Sequence, residues 1–349
     1  MKFGLFGGAL AAKGESSDSQ SYQQFIDYVL EADDLGFHSV FVVEHHFTGV
    51  GQVSATLGLL TYLAARTSRI RLGTGVIVLP WHNPVLLAEQ VATLDLLSGG
   101  RADIGVGKGY RPNEFNGFDM QISDAPARYE ENLEVLRRAL TSKERFSHKG
   151  AHWSFNDIVV EPTPVQQPHP PIWVGATSVP SIEKTAAAGL NLLLDHWANT
   201  QVVGERLSAY RQILEADGRQ FRPDMIGVTR AIQVTDSPAD RDAIIDARAN
   251  LLISAGAIKS GIAGPGLVSD DEDVTFEHAR NFSAQSAIVG SADEVIAKLK
   301  ELQAVGVEYV LIADSTASRD SLRRFAQEVM PAFASSAQLP PVQEKVLQS

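Results

Sequence analysis

The most reactive residues of the sequence are three consecutive ones, Glu44, His45 and His46, which follow the apolar run VFVV at 40–43. A buried strand is not expected to end in three titratable side chains unless water or a ligand reaches them. Imidazole titrates near neutral pH, so one histidine is suited to act as a general base or as a hydrogen-bond donor. We therefore predict that these three residues form a catalytic group.

Two other interpretations of this group stay open. Successive strand side chains point to opposite faces, so Glu44 and His46 would share one side and His45 the other. A metal site would need a third ligand such as His82 or His196, and no HExxH or HxH spacing supports it, so no metal is predicted. Alternatively, the three residues are hydrogen-bonded structural groups at a strand end.

A glycine-rich segment, GVGKGY at 105–110, is the second feature that could bind a ligand. It fails as a G-x-G-x-x-G dinucleotide motif because Tyr110 stands at the place of the last glycine. Glycines at 105, 107 and 109 let the backbone approach a ligand closely, and Lys108 adds a cation. A surface lysine in a glycine-rich turn is the commoner explanation of such a segment.

The stretch GATSVPSIEK at 175–184 strengthens the prediction of an anion site. Thr177, Ser178 and Ser181 would lie where a strand turns into a helix, and hydroxyls with free N–H groups at a helix N-terminus bind anions. Ser178 as a simple helix cap explains the same pattern equally well. If Lys108 and this turn lie on neighbouring strands, together they could hold one phosphate.

The elements that must position these residues follow a regular alternation. Strands are predicted at 2–6, 38–43, 70–78, 102–106, 172–176, 191–195, 226–234 and 308–313. Helices are predicted near 20–35, 53–67, 84–97, 127–140, 180–188, 201–217, 238–255, 292–305 and 319–331. Eight strands that are each followed by a helix predict a (β/α)₈ barrel of the TIM type, in which active sites lie at the C-terminal strand ends. A doubly wound sheet is the rival, but no linker-like boundary divides the chain.

Three glycines support parallel βα architecture. Gly36, Gly189 and Gly306 each follow a helical pattern and precede a short, continuously apolar run, as expected for residues just past a helix C-terminus. Two insertions interrupt the alternation: residues 141–171, before strand five, with a small hairpin, and residues 255–286, before strand eight, which are expected to form a lid or to be disordered. We predict one domain over 1–335 and a C-terminal tail at 336–349.

Composition excludes several classes of function. The formal charge of −12 argues against nucleic-acid and anionic membrane partners, and no basic run is present. No cysteine occurs, so disulfides, thiolate metal sites and cysteine nucleophiles are excluded. The N-terminal segment MKFGLFGGAL does not have the pattern of a signal peptide, and the sequence has no apolar stretch of about 20 residues. We therefore expect a cytoplasmic protein.

Beyond these patterns, the chain resembles the bacterial luciferase-like flavin monooxygenases, in particular the alkanal monooxygenase branch. The resemblance rests on segments in the family's order, namely MKFGLF, EHHF (44–47), GTGVIVLP (73–80), GGRADIGVGKGY (99–110), PVQQPHPPIWVGATS (164–178) and VGSADEVIAKLKELQAVGVEYVLI (289–312). The resemblance as a whole extends from residue 1 to about residue 330.

The resemblance implies a (β/α)₈ barrel that binds reduced FMN in its C-terminal mouth. It implies a non-prolyl cis peptide at Gly75–Val76 beneath the flavin ring and a catalytic role for His45, with Glu44 and His46 beside it. The implied flavin-binding residues are Gly75, Val76, Lys108, Gly109, Tyr110, Ala176, Thr177, Ser178 and Ser181. Luciferase has arginine at the Lys108 position and a reactive cysteine where this chain has Gly107. A tryptophan of luciferase's sixth strand is also replaced near 196–197, so a non-luminous relative is expected.

The implied activity is a two-component monooxygenase that uses reduced FMN and O₂ to form a C4a-peroxyflavin and oxygenate a small organic substrate. A separate NAD(P)H-dependent flavin reductase would supply the reduced FMN, and a homodimer is expected. Alternatives on the same barrel are an F420-dependent or NAD(P)H-dependent flavin oxidoreductase, or a non-catalytic flavin-binding subunit. Trp81, Tyr110 and Trp197 are candidates for the substrate pocket, and Arg230 either faces a ligand or forms a structural ion pair.

Overall fold

A computed structural model describes residues 1–10, 17–48, 52–254, 275–314 and 316–334. The strands are β1 (Lys2–Gly7), β2 (Ser39–Val42), β3 (Arg71–Thr74), β4 (Ile77–Val78), β5 (Ala102–Gly107), β6 (Phe146–Lys149), β7 (Ser154–Ile158), β8 (Ile172–Gly175), β9 (Asn191–Leu194), β10 (Ile226–Val234), β11 (Ile288–Gly290) and β12 (Tyr309–Ala313). The α-helices are α1 (Asp18–Leu35), α2 (Thr56–Arg66), α3 (Pro84–Leu97), α4 (Pro112–Gly117), α5 (Ala125–Thr141), α6 (Val179–Ala187), α7 (Thr200–Ala216), α8 (Pro238–Ser254), α9 (Phe276–Ser286), α10 (Ala292–Ala304) and α11 (Arg319–Arg324).

Eight parallel strands close into a barrel. Their order is β1, β2, β3, β5, β8, β9, β10 and β12, and β12 pairs with β1 to complete the ring. Helices flank these strands, so the predicted (β/α)₈ fold is confirmed. Each predicted strand corresponds to one barrel strand. The short additional strands β4 and β11 pair with β5 and β10 at the edges of the ring.

The predicted helices are also present, and the structure contains two helices that the sequence did not predict. Helices α4 and α9 were not expected, because six residues show too little periodicity and α9 falls in the segment predicted as a lid. Residues 255–274 of that segment lie outside the described residues. The predicted small hairpin is formed by β6 and β7, which pair antiparallel. The division into a domain at 1–335 and a tail at 336–349 stays a prediction, because residues 335–349 are not described.

The three glycines that were expected past helix ends have positive φ, with values of 87° at Gly36, 68° at Gly189 and 98° at Gly306. Glycine tolerates this conformation and lets the chain turn directly from the helix into the next buried strand. No helix within the described residues is long and apolar enough to span a membrane.

The barrel interior forms its own apolar layer. Inside the ring of strands, five buried residues pack together, and Phe6 and Val76 pack against them; the five are Phe41, Trp173, Leu193, Tyr309 and Leu311. A second, larger core lies between the outer faces of the strands and the helices. Because side chains alternate along each strand, residues two positions beyond this interior layer point into the C-terminal mouth of the barrel.

Candidate active site

Glu44 lies at the centre of a buried hydrogen-bond cluster just after β2. Its carboxylate accepts hydrogen bonds from Trp81 Nε1 at 2.7 Å, His82 Nε2 at 2.9 Å and His46 Nε2 at 3.1 Å. Burial raises the pKa of this carboxyl, but the hydrogen bonds from His46, His82 and Trp81 outweigh burial and hold the pKa at about 2. Glu44 is therefore an ionised acceptor that fixes three donor side chains.

His46 is held inside an aromatic cluster. Its ring makes an edge contact with Phe118 at 4.9 Å and with Trp81 at 5.8 Å, and Phe47 lies at 5.8 Å. Trp81 in turn stacks on Phe118 at 5.0 Å. Since Nε2 donates to Glu44 and the ring faces are covered, the orientation of His46 is fixed.

His45 has a different partner. Its Nδ1 lies 3.0 Å from Glu114 Oε1, and the same oxygen accepts the backbone N–H of His46 at 3.0 Å. Glu114 is buried on α4. Because the carboxylate accepts, we assign the proton to Nδ1 of His45, and a neutral ring then has its lone pair at Nε2. His45 is thus held in the tautomer that is suited to accept a proton at Nε2.

The alternation argument about this segment is supported by these contacts, because the side chains of Glu44 and His46 meet while His45 turns to Glu114. Glu114 was not predicted from the sequence, although Pro112 begins the short helix that carries it. Proline at the first position of a helix is the signal that would have indicated α4. Within the described ranges, no group of three His, Cys, Asp or Glu side chains is arranged to hold a metal ion.

Five residues form an apolar surface in the mouth of the barrel, which we call the apolar floor. Phe6, Val76, Ala231 and Ala313 are partly accessible and Gly175 is exposed, although all five face the inside of the barrel. Four of the five have no side chain larger than valine. The apolar floor would offer an apolar surface to a planar aromatic ring.

Val76 is seated between two glycines. A Cβ atom on Gly107 would lie 2.7 Å from Val76 Cγ2, and one on Gly175 would lie 3.3 Å from Val76 Cγ1. The cis peptide that was expected at Gly75–Val76 is present. A side chain at position 107 would therefore displace Val76 into the mouth.

The predicted anion site lies at one edge of this floor. β5 and β8 are neighbours and pair Val106 with Val174, so Lys108 and Ala176 lie level, two residues further along each strand. Ser178 occupies the N-cap position of α6 but makes no side-chain cap bond, and its hydroxyl instead donates to Ser181 Oγ at 3.0 Å. The simple capping role of the Ser178 hydroxyl is therefore not seen.

The other predicted flavin residues surround this edge. Tyr110 is 48% exposed with Arg111 over its ring, Gly109 has a φ of 75°, and Thr177 is partly exposed beside the buried Ala176. Lys108 is exposed and ion-pairs with no residue in the described part of the chain. A cation, several hydroxyls and the N-terminus of α6 thus lie on one side of the mouth, which fits a phosphate.

Arg230 and Trp197 lie on the side of the barrel opposite Lys108. Arg230 is buried and donates to the carbonyl oxygens of Thr229, Asp195 and Ala198. In the part of the chain that the structure describes, Arg230 forms no ion pair, and its side chain points outward from β10 rather than into the mouth. Trp197 is also buried.

Comparison with known proteins agrees with this geometry. The sequence profile of a family described as luciferase-like monooxygenase matches residues 1–309. The oxygenase component of flavin-dependent trigonelline monooxygenase from Acinetobacter baylyi is 29% identical, over 96% of either chain. Monooxygenase RslO1 from Streptomyces bottropensis superposes with a TM-score of 0.83 at 27% identity, covering 96% of this chain and 100% of that one.

A further solved structure is similar in fold. The oxygenating constituent of 3,6-diketocamphane monooxygenase from Pseudomonas putida, in complex with FMN, superposes with a TM-score of 0.73. The two chains are 18% identical, and the match covers 95% of this chain and 98% of the other. At that identity the likeness shows the fold alone.

Proposed function

The chain belongs to the luciferase-like monooxygenase family, and from this we propose that it is the oxygenase of a two-component system that uses reduced FMN and O₂ to oxygenate a small organic substrate. Its class, a flavin-dependent oxidoreductase, follows from the family. The choice of FMN, the separate reductase and the roles of individual residues are the proposal.

The observation that carries the proposal is the accessible apolar floor with a cationic edge. A flavin is a planar ring joined to a doubly charged phosphate, so it needs a flat apolar surface and a separate group of donors. The floor around Val76 supplies the first. Lys108, together with Ser178, Ser181 and the N-terminus of α6, supplies the second.

The residues of this chain then have distinct tasks. When bound, reduced FMN would supply the two electrons that activate O₂, of which one atom passes to the substrate and the other leaves as water. His45 would hold or transfer a proton at Nε2, because Glu114 keeps the proton on Nδ1. The aromatic cluster around His46 would exclude water from that side of the mouth.

A separate NAD(P)H-dependent reductase is the proposed source of reduced FMN. The relative from Acinetobacter baylyi is named as an oxygenase component. The glycine-rich segment at 105–110 also lacks the dinucleotide motif, since Tyr110 replaces its last glycine. A cytoplasmic location is proposed on the same ground, because NAD(P)H-dependent reductases need the cytoplasmic cofactor pool.

We also propose a homodimer. Tyr62 on α2, and Leu86, Leu96 and Leu97 on α3, are large apolar residues with exposed fractions between 43% and 60%. These two helices are neighbours in sequence and pack together, and exposed apolar groups of this kind indicate an interaction surface. The molar mass in solution tests this, with twice the mass of one chain expected.

The test of function uses the full-length protein with photoreduced FMN under anaerobic conditions, followed by mixing with O₂. Bound reduced FMN is expected to return to the oxidised spectrum in two steps, at rates different from those of free FMN. His45→Ala is expected to keep the Kd for reduced FMN within about twofold and to slow substrate oxygenation by about 100-fold or more. A wild-type protein that leaves the reoxidation of FMN unchanged would refute the proposal.

The alternative functions predict different results in the same experiment. An F420-dependent or NAD(P)H-dependent oxidoreductase would transfer hydride in the absence of O₂. A non-catalytic subunit would bind FMN, and His45→Ala would then change nothing.

A further inference from the structure

Two of the three donors to Glu44 are neighbours in one short turn of the chain. Trp81 is the last residue of a 3₁₀ helix, Leu79–Trp81, and His82 follows it. The backbone N–H of His82 donates to the carbonyl oxygen of Leu79 at 3.0 Å, which closes the turn. We call residues 79–82 the donor turn. Because both side chains leave the same turn, a displacement of the donor turn would move both of them relative to Glu44.

Asn132, on α5, holds the donor turn at both ends. Its side chain is fully buried. Nδ2 of Asn132 donates to the carbonyl oxygen of Leu79, at the start of the turn, and to that of His82, at its end, where the distance is 2.9 Å. One amide group therefore fixes the segment that carries two of the donors to Glu44.

The other polar atom of the Asn132 side chain faces the hairpin of β6 and β7. Asn132 Oδ1 accepts a hydrogen bond from Trp153 Nε1 at 2.5 Å. These partners allow a single orientation of the amide, because carbonyl oxygens only accept and an indole N–H only donates. Trp153 thus keeps Nδ2 of Asn132 directed at the donor turn.

The hairpin itself is attached to α5 by Glu131, the residue before Asn132. The carboxylate of Glu131 accepts hydrogen bonds at 2.9–3.1 Å from three consecutive backbone N–H groups of the hairpin turn, those of Ala151, His152 and Trp153. Burial raises the pKa of Glu131, but the hydrogen bonds, among them that of the His152 N–H, outweigh burial and lower it. An ionised carboxylate therefore fixes the position of Trp153 on α5.

We propose that Asn132 is a positioning residue of the active site and that the hairpin of β6 and β7 completes this function, since Trp153 orients Asn132 and Asn132 holds the donor turn against Glu44. Without this support, the aromatic cluster around His46 would open. The inference rests on the proposed function, in which that cluster excludes water from the mouth.

The test compares two variants of the full-length protein with the wild type. Trp153→Phe keeps an aromatic ring and removes the N–H group that orients the amide, and Asn132→Ala removes all of the contacts. Hydrogen exchange of the Trp81 indole N–H, followed by ¹⁵N NMR, measures how often its bond to Glu44 opens. We expect exchange to be about tenfold faster in Trp153→Phe and faster again in Asn132→Ala. Trp153→Phe alone decides if Asn132→Ala does not fold.

Tyr210→Phe is the matched control. Tyr210 is fully buried, and its hydroxyl donates to the carbonyl oxygen of Leu190 at 2.6 Å, next to the N-terminal end of β9. This variant also removes one hydrogen-bond donor from an aromatic side chain. It is expected to lower the Tm and to leave exchange of the Trp81 indole unchanged, so a general loss of stability is distinguished from release of the donor turn.

The effect on the reaction is measured in the same variants with reduced FMN and O₂. The Kd for reduced FMN should stay within about twofold, and the second step of FMN reoxidation without substrate should be about fivefold faster, because water enters the mouth. In Tyr210→Phe both quantities should equal those of the wild type.

Unchanged exchange of the Trp81 indole in both variants would overturn the proposal. Faster exchange with an unchanged second step would also overturn it, since the donor turn would then have no influence on the reaction. Wild-type protein that leaves the reoxidation of FMN unchanged would instead overturn the proposed function, and the exchange measurement, made without FMN, would still show whether Asn132 holds the donor turn.

Discussion

Replacing Glu44 with glutamine removes the negative charge from the buried cluster while keeping the shape of the side chain. Three donors, from Trp81, His82 and His46, converge on this carboxylate. The amide has a single acceptor oxygen, and its NH₂ group must face at least one of these donors. We therefore expect Glu44→Gln to fold less stably and to loosen the positions of the two histidines.

The magnitude follows from the pKa of Glu44. Lowering it from 4.5 to about 2 in the folded protein corresponds to about 3 kcal/mol of stabilisation by the ionised form. Glutamine resembles the protonated acid, so Glu44→Gln is expected to lower the free energy of unfolding by about 3 kcal/mol at pH 7. For a chain of 349 residues this is a decrease in Tm of about 4 °C.

The pH dependence provides an internal check. Because the pKa of Glu44 is lower in the folded than in the unfolded chain, its stabilisation is complete above about pH 5 and is lost as the pH falls towards 2. The difference between wild type and Glu44→Gln should therefore shrink to about 1 kcal/mol at pH 3. Urea unfolding followed by tryptophan fluorescence at the two pH values measures both differences.

Glu134→Gln is the control, because Glu134 is exposed on α5, and its substitution should change stability by less than about 0.5 kcal/mol. Wild-type stability of Glu44→Gln at pH 7 would refute the role assigned to the carboxylate. A difference that stays the same from pH 7 to pH 3 would show that the lowered pKa of Glu44 is not its cause.

Three further predictions concern the mouth. Lys108→Ala should weaken binding of reduced FMN about tenfold and leave binding of riboflavin unchanged, since only FMN has a phosphate. Fluorescence titration measures both affinities, and an equal loss of affinity for the two flavins would contradict the prediction. Glu114→Gln should slow substrate oxygenation about tenfold without changing the Kd for FMN. ¹⁵N NMR should then show that the His45 proton is no longer confined to Nδ1, and an unchanged spectrum would exclude the positioning role. Gly107→Ala should lower stability by about 1–3 kcal/mol and weaken FMN binding, because its Cβ would lie 2.7 Å from Val76 Cγ2; a binding-competent, stable variant would contradict the close packing.

The barrel was predictable because its signals are strong and repeated. Eight apolar runs, each preceded or followed by a helical pattern, leave few arrangements other than a (β/α)₈ barrel. Gly36, Gly189 and Gly306 marked helix ends because few other residues accept a positive φ. Short elements such as α4 escaped prediction, since six residues contain too few turns to establish a period.

The candidate site was predictable in part. The positions of Glu44, His45 and His46 at a strand end followed from the sequence, and so did the opposite orientation of His45. Their partners did not, because Trp81, His82 and Glu114 are 37 to 69 residues away from the residues they bind and meet the group only through tertiary folding.

The central claim is that the apolar floor and cationic edge of the barrel mouth bind reduced FMN. Anaerobic titration of the full-length protein with reduced FMN and, in parallel, with reduced F420 tests it most directly. We expect reduced FMN to bind with a change in its absorbance and to raise the Tm, and F420 to do neither. Binding of F420 without binding of FMN would contradict the claim.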